Sequence, residues 1–289
     1  MFNKGIIVMS KYVESKENRV KYNEDSVEEI ENKLSQMYHI YNGRYIGNPY
    51  LVYLLLPKNI KIVGEYAFQR CPNLWRVQME AVETVGKDAF KNCENLKLLS
   101  LNHDLTKICE HAFFNTGLIN VNIPKYTKVE EYAFAKSKLV DAYIPNLSNL
   151  KAGVFCDCES LSRVIIDGGE VVPQWCFHGC KSLTDIVLPA GVVEIKNEAF
   201  TKTGLKKIRI PTSTKVEEFA FDEGVEIIRY DRTEEHLLQI MCQNFLNSTK
   251  YPKEDKVRAE GLIARLLNGY SNNNDKCDDF LDPFEDDMK

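Results

Sequence analysis

The sequence predicts an α/β solenoid in which short repeated strands stack into one parallel sheet of about nine strands. Phenylalanine recurs at steps of 21 to 23 residues, and a fixed period of this length is typical of a solenoid. Each recurrence is followed by a short run in which apolar and polar residues alternate, as in a strand with one buried face. The recurring residues are Phe68, Phe90, Phe113, Phe134, Phe155, Phe177, Phe200 and Phe221.

The residues around each phenylalanine repeat as well. An aliphatic residue stands five positions earlier, as Val63 stands before Phe68, and in most repeats alanine directly precedes the phenylalanine. Stacked phenylalanines would form the spine of the core, because a single repeat cannot bury that face alone. We expect the Ala-Phe segment to form a short helical turn, which provides the crossover that parallel strands need.

Each predicted strand opens on an aliphatic residue, usually leucine. The residues three and five positions later should point into the core, and those two and four positions later should point to solvent. Proline ends several strands, because it cannot donate to a ladder. The clearest examples are "LVDAYIP" from Leu139 and "LKKIRIP" from Leu205, and "LVYLLLP" from Leu51 is the same strand without a preceding Ala-Phe unit.

Helical caps are predicted at both ends, since the ends of a solenoid expose apolar core. Ser26 and Glu29 form a capping box for a helix over residues 26–41. Two further helices are predicted over residues 233–247 and from Pro252 to the residue before Gly269. The predicted organisation is an N-terminal segment with its capping helix (1–50), the solenoid (51–230), C-terminal capping helices (231–270) and an acidic tail (271–289).

Composition excludes several functional classes. The net charge of −5 over 289 residues gives no general footprint for nucleic acid. The longest apolar run, Tyr50–Leu56, is too short to span a bilayer. The first residues lack the long apolar centre of a secretory signal, so a cytoplasmic location is expected.

The repeat resembles a known bacterial type. Residues Ile62–Leu74, "IVGEYAFQRCPNL", and Thr84–Leu96, "TVGKDAFKNCENL", are similar to BspA-like (Treponema pallidum-type) leucine-rich repeats. The resemblance covers Leu51 to about Tyr230 and implies a leucine-rich-repeat solenoid that acts as an interaction scaffold, without enzymatic activity. The family's better-known members are surface adhesins. Asp167-Gly168-Gly169 stands where the repeat expects its strand-ending proline, which predicts a looser turn there.

A group of cysteines supplies the alternative reading, a metal- or redox-responsive protein. The segment from Cys156 to Cys180 holds four thiols and His178 within 25 residues, which could suit zinc. The repeat register opposes this reading, because Cys158 and Cys180 fall at the bend position shared with Cys71 and Cys93, where cysteine packs as a small hydrophobe. We therefore expect no metal and no cofactor. The four thiols are those of Cys156, Cys158, Cys176 and Cys180.

The predicted binding face is the solvent side of the sheet. Successive strands lie about 4.8 Å apart, so Tyr143, Ile165 and Val187 should form one apolar stripe. An apolar patch with a polar rim is a common mark of an interaction site, although β-branched residues also simply suit a strand surface. The predicted rim is cationic in an otherwise acidic protein and consists of Arg163, Lys207, Arg209 and Arg229.

This face predicts the chemistry of the partner. A protein or peptide with acidic and apolar groups is expected, and a glycan is the other open class. The protein's own acidic tail around Phe280–Glu285 carries both kinds of group and is one candidate occupant.

Overall fold

The computed structural model describes residues 7–9 and 37–230, and over the latter the chain forms a parallel β-solenoid of about nine coils. Most coils give a strand to a first sheet, and most also give a two-residue strand to a second ladder. The strands are β1 (Ile7–Met9), β2 (His39–Ile40), β3 (Leu51–Leu56), β4 (Ile62–Val63), β5 (Arg76–Met79), β6 (Thr84–Val85), β7 (Leu98–Ser100), β8 (Lys107–Ile108), β9 (Asn120–Asn122), β10 (Lys128–Val129), β11 (Asp141–Ile144), β12 (Arg163–Ile166), β13 (Val171–Val172), β14 (Glu194–Ile195), β15 (Lys207–Pro211), β16 (Lys215–Val216) and β17 (Glu226–Tyr230).

The first sheet is the predicted parallel sheet, but its hydrogen-bonded ladder is divided into three runs. These are β3–β5–β7, β9–β11–β12, and β15–β17, to which Val187 is joined by a bridge to Arg209. The predicted alternation is confirmed: in β11, Ala142 and Ile144 are buried while Asp141 and Tyr143 face outward. β1 pairs antiparallel with β3 and covers that edge of the sheet, which would otherwise be open to other strands.

The second ladder was not predicted as a sheet. Its strands pair in parallel as β2–β4–β6–β8–β10 and as β13–β14–β16. Each strand ends on the aliphatic residue that stands five positions before the ring of its coil, as Val63 stands before Phe68. This residue is buried in every strand except β16, where Val216 is half-buried. The coil therefore has two hydrogen-bonded sides, with the core between them.

The Ala-Phe segments are not helical, so that prediction is wrong. They form turns, and their backbone N–H groups donate to the next coil: Tyr66 to Lys87 at 2.8 Å and Phe68 to Ala89 at 2.8 Å. Within residues 37–230 the single helix is a short 3-10 helix, Leu147–Asn149. The described part is thus an all-β solenoid and not the predicted α/β repeat, because hydrogen bonds between coils replace those within a helix.

The predicted N-terminal capping helix is wrong over residues 37–41, which contain β2. Its remaining residues, 26–36, and the two predicted C-terminal helices lie outside the described residues. The coils also begin earlier than expected, because Tyr45 stacks on Phe68 with ring centroids 5.3 Å apart. Ile40 stands five residues before Tyr45, which is the aliphatic-to-ring spacing of the repeat.

The predicted phenylalanine spine is confirmed. Its first seven rings, from Phe68 to Phe200, are completely buried, and Phe221 at the end is half-buried. Neighbouring centroids lie 5.2–5.9 Å apart with interplanar angles of 1–14°. This offset stacking is a favourable ring geometry. One continuous column of rings therefore runs through the core.

Two columns of left-handed backbone flank the spine. One lies two residues before each ring, as Tyr66 (φ 57°) does before Phe68, and the other lies two residues after it, as Arg70 (φ 57°) does. Left-handed backbone costs a non-glycine residue roughly 1–2 kcal/mol. For the non-glycine residues from Tyr66 to Glu198 the N–H donates to a backbone carbonyl of the next coil, and the N–H of Lys202 donates to the Asp222 carboxylate. These hydrogen bonds offset that cost. The non-glycine residues are Tyr66, Arg70, Asp88, Asn92, His111, Asn115, Tyr132, Lys136, Asp157, Trp175, Glu198, Lys202 and Phe219.

The chain divides into two compact units, residues 1–231 and 232–289. Every described residue belongs to the first unit, and none of the described residues forms a helix long and apolar enough to cross a membrane. The boundaries predicted from sequence, and the character of the tail, stay predictions.

The spine gives a first testable prediction. Phe134→Ala should lower the free energy of unfolding by about 3–5 kcal/mol, as large-to-small changes in packed cores do. Phe114→Ala is the matched control, because that ring is only half-buried and its loss should cost less. Denaturant unfolding of both variants measures the difference. A loss below about 1 kcal/mol for Phe134→Ala would contradict a column in which the stacked rings stabilise one another.

The left-handed columns give a second prediction. Lys202 has φ 56° and an exposed side chain, so Lys202→Gly should raise the free energy of unfolding by up to about 1 kcal/mol by removing the Cβ clash. Lys206 is exposed as well but has ordinary backbone, so Lys206→Gly should lower it by about 0.5–1 kcal/mol. Thermal unfolding of the two variants measures the sign of each change in the free energy of unfolding. If both variants lose the same stability, the backbone at Lys202 is not strained.

Candidate interaction surface

The open face is the solvent side of the first sheet, where each strand presents two outward positions. The pairing register confirms the predicted columns over β11 and β12, with Asp141 opposite Arg163 and Tyr143 opposite Ile165. Val187 pairs with Arg209, which also places Asp185 beside Lys207. We call the outward positions Asp141, Arg163, Asp185 and Lys207 the charge column, and Tyr143, Ile165, Val187 and Arg209 the stripe column.

The apolar part of the stripe column lies where the sequence predicts, but it is half-buried and not fully exposed. Tyr143 and Ile165 are direct neighbours in the ladder. The Tyr143 hydroxyl donates to the Asp167 carboxylate of the next coil, which holds the ring against that coil. Val187 belongs to the following run of strands, beyond the second interruption of the ladder. The stripe is therefore a shallow apolar band fixed in position.

Two of the four cations in the predicted rim, Arg163 and Arg229, bind groups within the chain itself. Arg163 is engaged by Asp141, whose second carboxylate oxygen accepts from its Nη2 at 2.6 Å. Arg229 lies outside the predicted column, because β17 pairs Arg209 with Ile228 and Arg229 with Ile210. The bend before β17 is shorter than the others, so the register slips by one residue. The Arg229 guanidinium instead donates to the carbonyls of Thr212 and Thr214, at 3.0 and 2.9 Å.

Four exposed charges remain on the open face beside the stripe, and one of them is Glu226, which β17 places opposite Lys207. The side chains of Asp185, Lys207, Arg209 and Glu226 make no hydrogen bond or ion pair within the described part of the chain. They lie on consecutive coils, and the first three lie next to Val187. An unpaired charge at the edge of an apolar band is free to pair with an opposite charge on another molecule.

An open depression of about 460 Å³ adjoins the same face at the carboxyl ends of β5 and β7. Gln78 and Ser100, which lie opposite each other on these strands, line it together with Asn102. The sequence did not predict this depression, because strand periodicity does not specify the shape of the loops that follow the strands.

Four of the cysteines form a hydrogen-bonded column along the bends. Cys158 is completely buried, and its thiol donates to the Phe134 carbonyl at 3.1 Å. The thiols of Cys71, Cys93 and Cys180 likewise donate to the spine carbonyl of the preceding coil, at 3.1–3.2 Å. Where the column lacks cysteine, Ser137 donates to Phe113 at 2.9 Å. Thr116 and Thr203 donate to the spine carbonyl of their own coil instead. A small donor three residues after each of the first seven spine rings was the missed signal: Cys71, Cys93, Thr116, Ser137, Cys158, Cys180 and Thr203.

The electrostatics of these thiols oppose the metal or redox alternative. Burial raises the pKa of the Cys158, Cys176 and Cys180 thiols well above the ordinary value, and it raises the pKa of the half-buried Cys156 to about 11. Metal binding and disulfide exchange both need the thiolate, which these shifts disfavour. No cluster of three metal-ligating side chains occurs among the residues described. His178 instead has its Nδ1 2.6 Å from the Thr201 hydroxyl.

The cysteine column gives a third prediction. Cys158→Ala removes one of two donors to the Phe134 carbonyl, which also accepts from the Ser137 N–H at 3.3 Å. It should lower the free energy of unfolding by about 0.5–1.5 kcal/mol. Cys158→Ser keeps a donor, as Ser137 does, and should cost less. Chemical unfolding with and without a chelator measures both effects. Unfolding of the wild-type protein by the chelator alone would instead support a metal site.

Comparison with known proteins supports the same fold. The crystal structure of a leucine-rich repeat protein from Bacteroides ovatus is similar with a TM-score of 0.50 and 20% identity, over 67% of this chain and 55% of that one. This chain thus spans little more than half the length of that protein. A T. pallidum leucine-rich repeat protein matches at 24% identity (TM-score 0.38, 51% and 83% covered), and the pneumococcal vaccine antigen PcpA at 16% (TM-score 0.42, 69% and 67% covered).

Sequence comparison adds the family. The search of curated proteins found no match. The family model described as the BspA type leucine-rich repeat region matches with six copies, over residues 17–140 and 125–228. These residues include all the coils from β2 to the start of β17, and the chain belongs to the BspA-type leucine-rich repeat family.

Proposed function

We propose that the protein is a non-catalytic interaction scaffold that binds a protein or peptide through the open face. The observation that carries the proposal is the half-buried band formed by Tyr143 and Ile165 on adjacent strands, continued at Val187 beside unpaired Lys207 and Arg209. An apolar centre with charged groups at its edge is the usual anatomy of an interface. Repeat proteins of this family generally serve as interaction scaffolds.

The partner would present an apolar side chain with one or more carboxylates close to it. The apolar group would pack on Ile165 and Val187, and the carboxylates would pair with Lys207 and Arg209. Since both cations are exposed, their attraction falls as salt is added, while the apolar contact persists. Binding should therefore weaken with ionic strength without being abolished.

The acidic tail is one candidate for this role. Residues 280–285, "FLDPFE", join two phenylalanines and a leucine to acidic residues. They lie outside the described residues, so the proposal for them rests on composition. If the tail occupies the open face, a chain that ends at residue 270 should capture more of an external partner than the full chain does.

A triple variant tests the proposed face. Tyr143→Ser, Ile165→Thr and Arg209→Glu together remove the band and reverse one cation, and they should reduce partner capture from a lysate of the source cells at least tenfold. The matched control is Tyr126→Ser, Ile62→Thr and Lys128→Glu, which makes the same kinds of change at exposed positions away from the open face. Quantitative mass spectrometry of captured proteins is the measurement.

The control variant should capture the same proteins as the wild type. If the folded triple variant also captures them unchanged, the open face is not the binding surface.

A further inference from the structure

We propose that the open face also binds a second copy of this chain, forming a weak two-fold dimer in which the charge and stripe columns of the two copies meet in reverse order. The inference rests on the proposed function only in taking the open face as the interaction surface. It adds a specific partner, which is the protein itself, and a specific pairing of residues.

The charge column is self-complementary when its order is reversed. Along four successive coils it reads Asp141, Arg163, Asp185 and Lys207, with signs that alternate. Consider a two-fold axis in the plane of contact, parallel to the strands and midway between the coils of Arg163 and Asp185. It places Asp141 of one copy opposite Lys207 of the other, and Arg163 opposite Asp185. All four positions then face an opposite charge, and a two-fold contact forms each pairing twice.

The same axis also matches the stripe column. It brings Ile165 against Val187 of the other copy, so that apolar groups meet near the centre of the contact. It brings Tyr143 against Arg209, and a guanidinium packed on an aromatic ring is favourable. The same two-fold axis thus gives favourable contacts in both columns, although one column is charged and the other is mainly apolar.

Two of the four charges in the charge column are unpaired within one chain, and the other two pair with each other. Asp141 and Arg163 bind each other, so in the dimer each would share its charge between that partner and one in the second copy. The side chains of Asp185, Lys207 and Arg209 have no partner among the described residues. Exposed Glu226 lies opposite Lys207 on β17, and the two-fold axis places it against Asn120, which carries no charge. The net charge of −5 repels copies at long range, so the attraction must come from this local pattern.

The size of the face sets the expected strength. Four strands about 4.8 Å apart, each contributing about four residues at 3.3 Å, give a patch on the order of 250 Å² per copy. Stable specific interfaces bury about 1,200–2,000 Å² in total, so this dimer would be weak, and it would dissociate on dilution and on addition of salt. Such a contact leaves the face accessible to a tighter partner.

The test uses charge reversal in the full chain, measured by sedimentation velocity from low to high micromolar protein. Lys207→Glu should place two carboxylates opposite each other at both 141–207 contacts, and Asp141→Lys should place two ammonium groups opposite each other there. Each variant alone should self-associate at least tenfold more weakly than the wild type, because like charges in contact are strongly unfavourable. An equimolar mixture of the two should recover association, because each copy then supplies the charge the other needs.

Lys128→Glu is the control, with the same charge change on the second ladder at an exposed position, and it should associate as the wild type does. Circular dichroism verifies that each variant is folded. A wild-type chain that stays monomeric, a control that dissociates like the variants, or a mixture no stronger than its components would overturn the dimer. None of these results touches the proposed function, which is judged by capture of other proteins by the triple variant.

Discussion

A phenylalanine ring in this protein is covered on both faces by the rings of the coils before and after it. The stack runs at 5.2–5.9 Å between centroids, and the backbone beside each ring donates to the next coil, as Phe90 does to Ala112 at 2.8 Å. Since no coil can bury its own ring, nearly all the stabilisation lies between coils. The two ladders, the bend donors and the open face all take their spacing from this stack.

The parts of the fold that were predicted correctly are those in which the same type of residue recurs at a fixed spacing in the sequence. Buried phenylalanines and alternating strand residues cannot be exchanged for polar ones, so they leave a period in the sequence. The Ala-Phe segments were predicted wrongly because their conformation is set between coils: Tyr66 and Asp88 adopt positive φ, which is uncommon for any residue other than glycine, to reach a carbonyl of the next coil. Tyr45 was missed because its ring is not phenylalanine, although its spacing from Ile40 fits.

On the candidate surface, too, some features follow from the periodic sequence and others depend on contacts between coils. Column membership follows from strand periodicity, and Tyr143 beside Ile165 could be read from the sequence. Whether a charge is available depends on the side-chain partner it selects, and strand spacing does not specify this choice. Arg163 could pair with the carboxylate on either side and selects Asp141, and Arg229 leaves its column because one short bend shifts β17 by a residue. The partner of Arg163 and the register of β17 depend on side-chain rotamers and loop length, which the periodic pattern of the sequence does not determine.

The hydrogen bonds that join successive coils all run along the axis of the solenoid, and this has a mechanical consequence. A pull on the two ends of the described region loads those bonds in series, with only the bonds of one coil boundary resisting at a time. Coils should then detach from an end one by one under modest force, each releasing about 22 residues of chain, as the spacing of the spine rings requires. Stretched in this way, the described region would lengthen in steps while its remaining coils keep their surface intact.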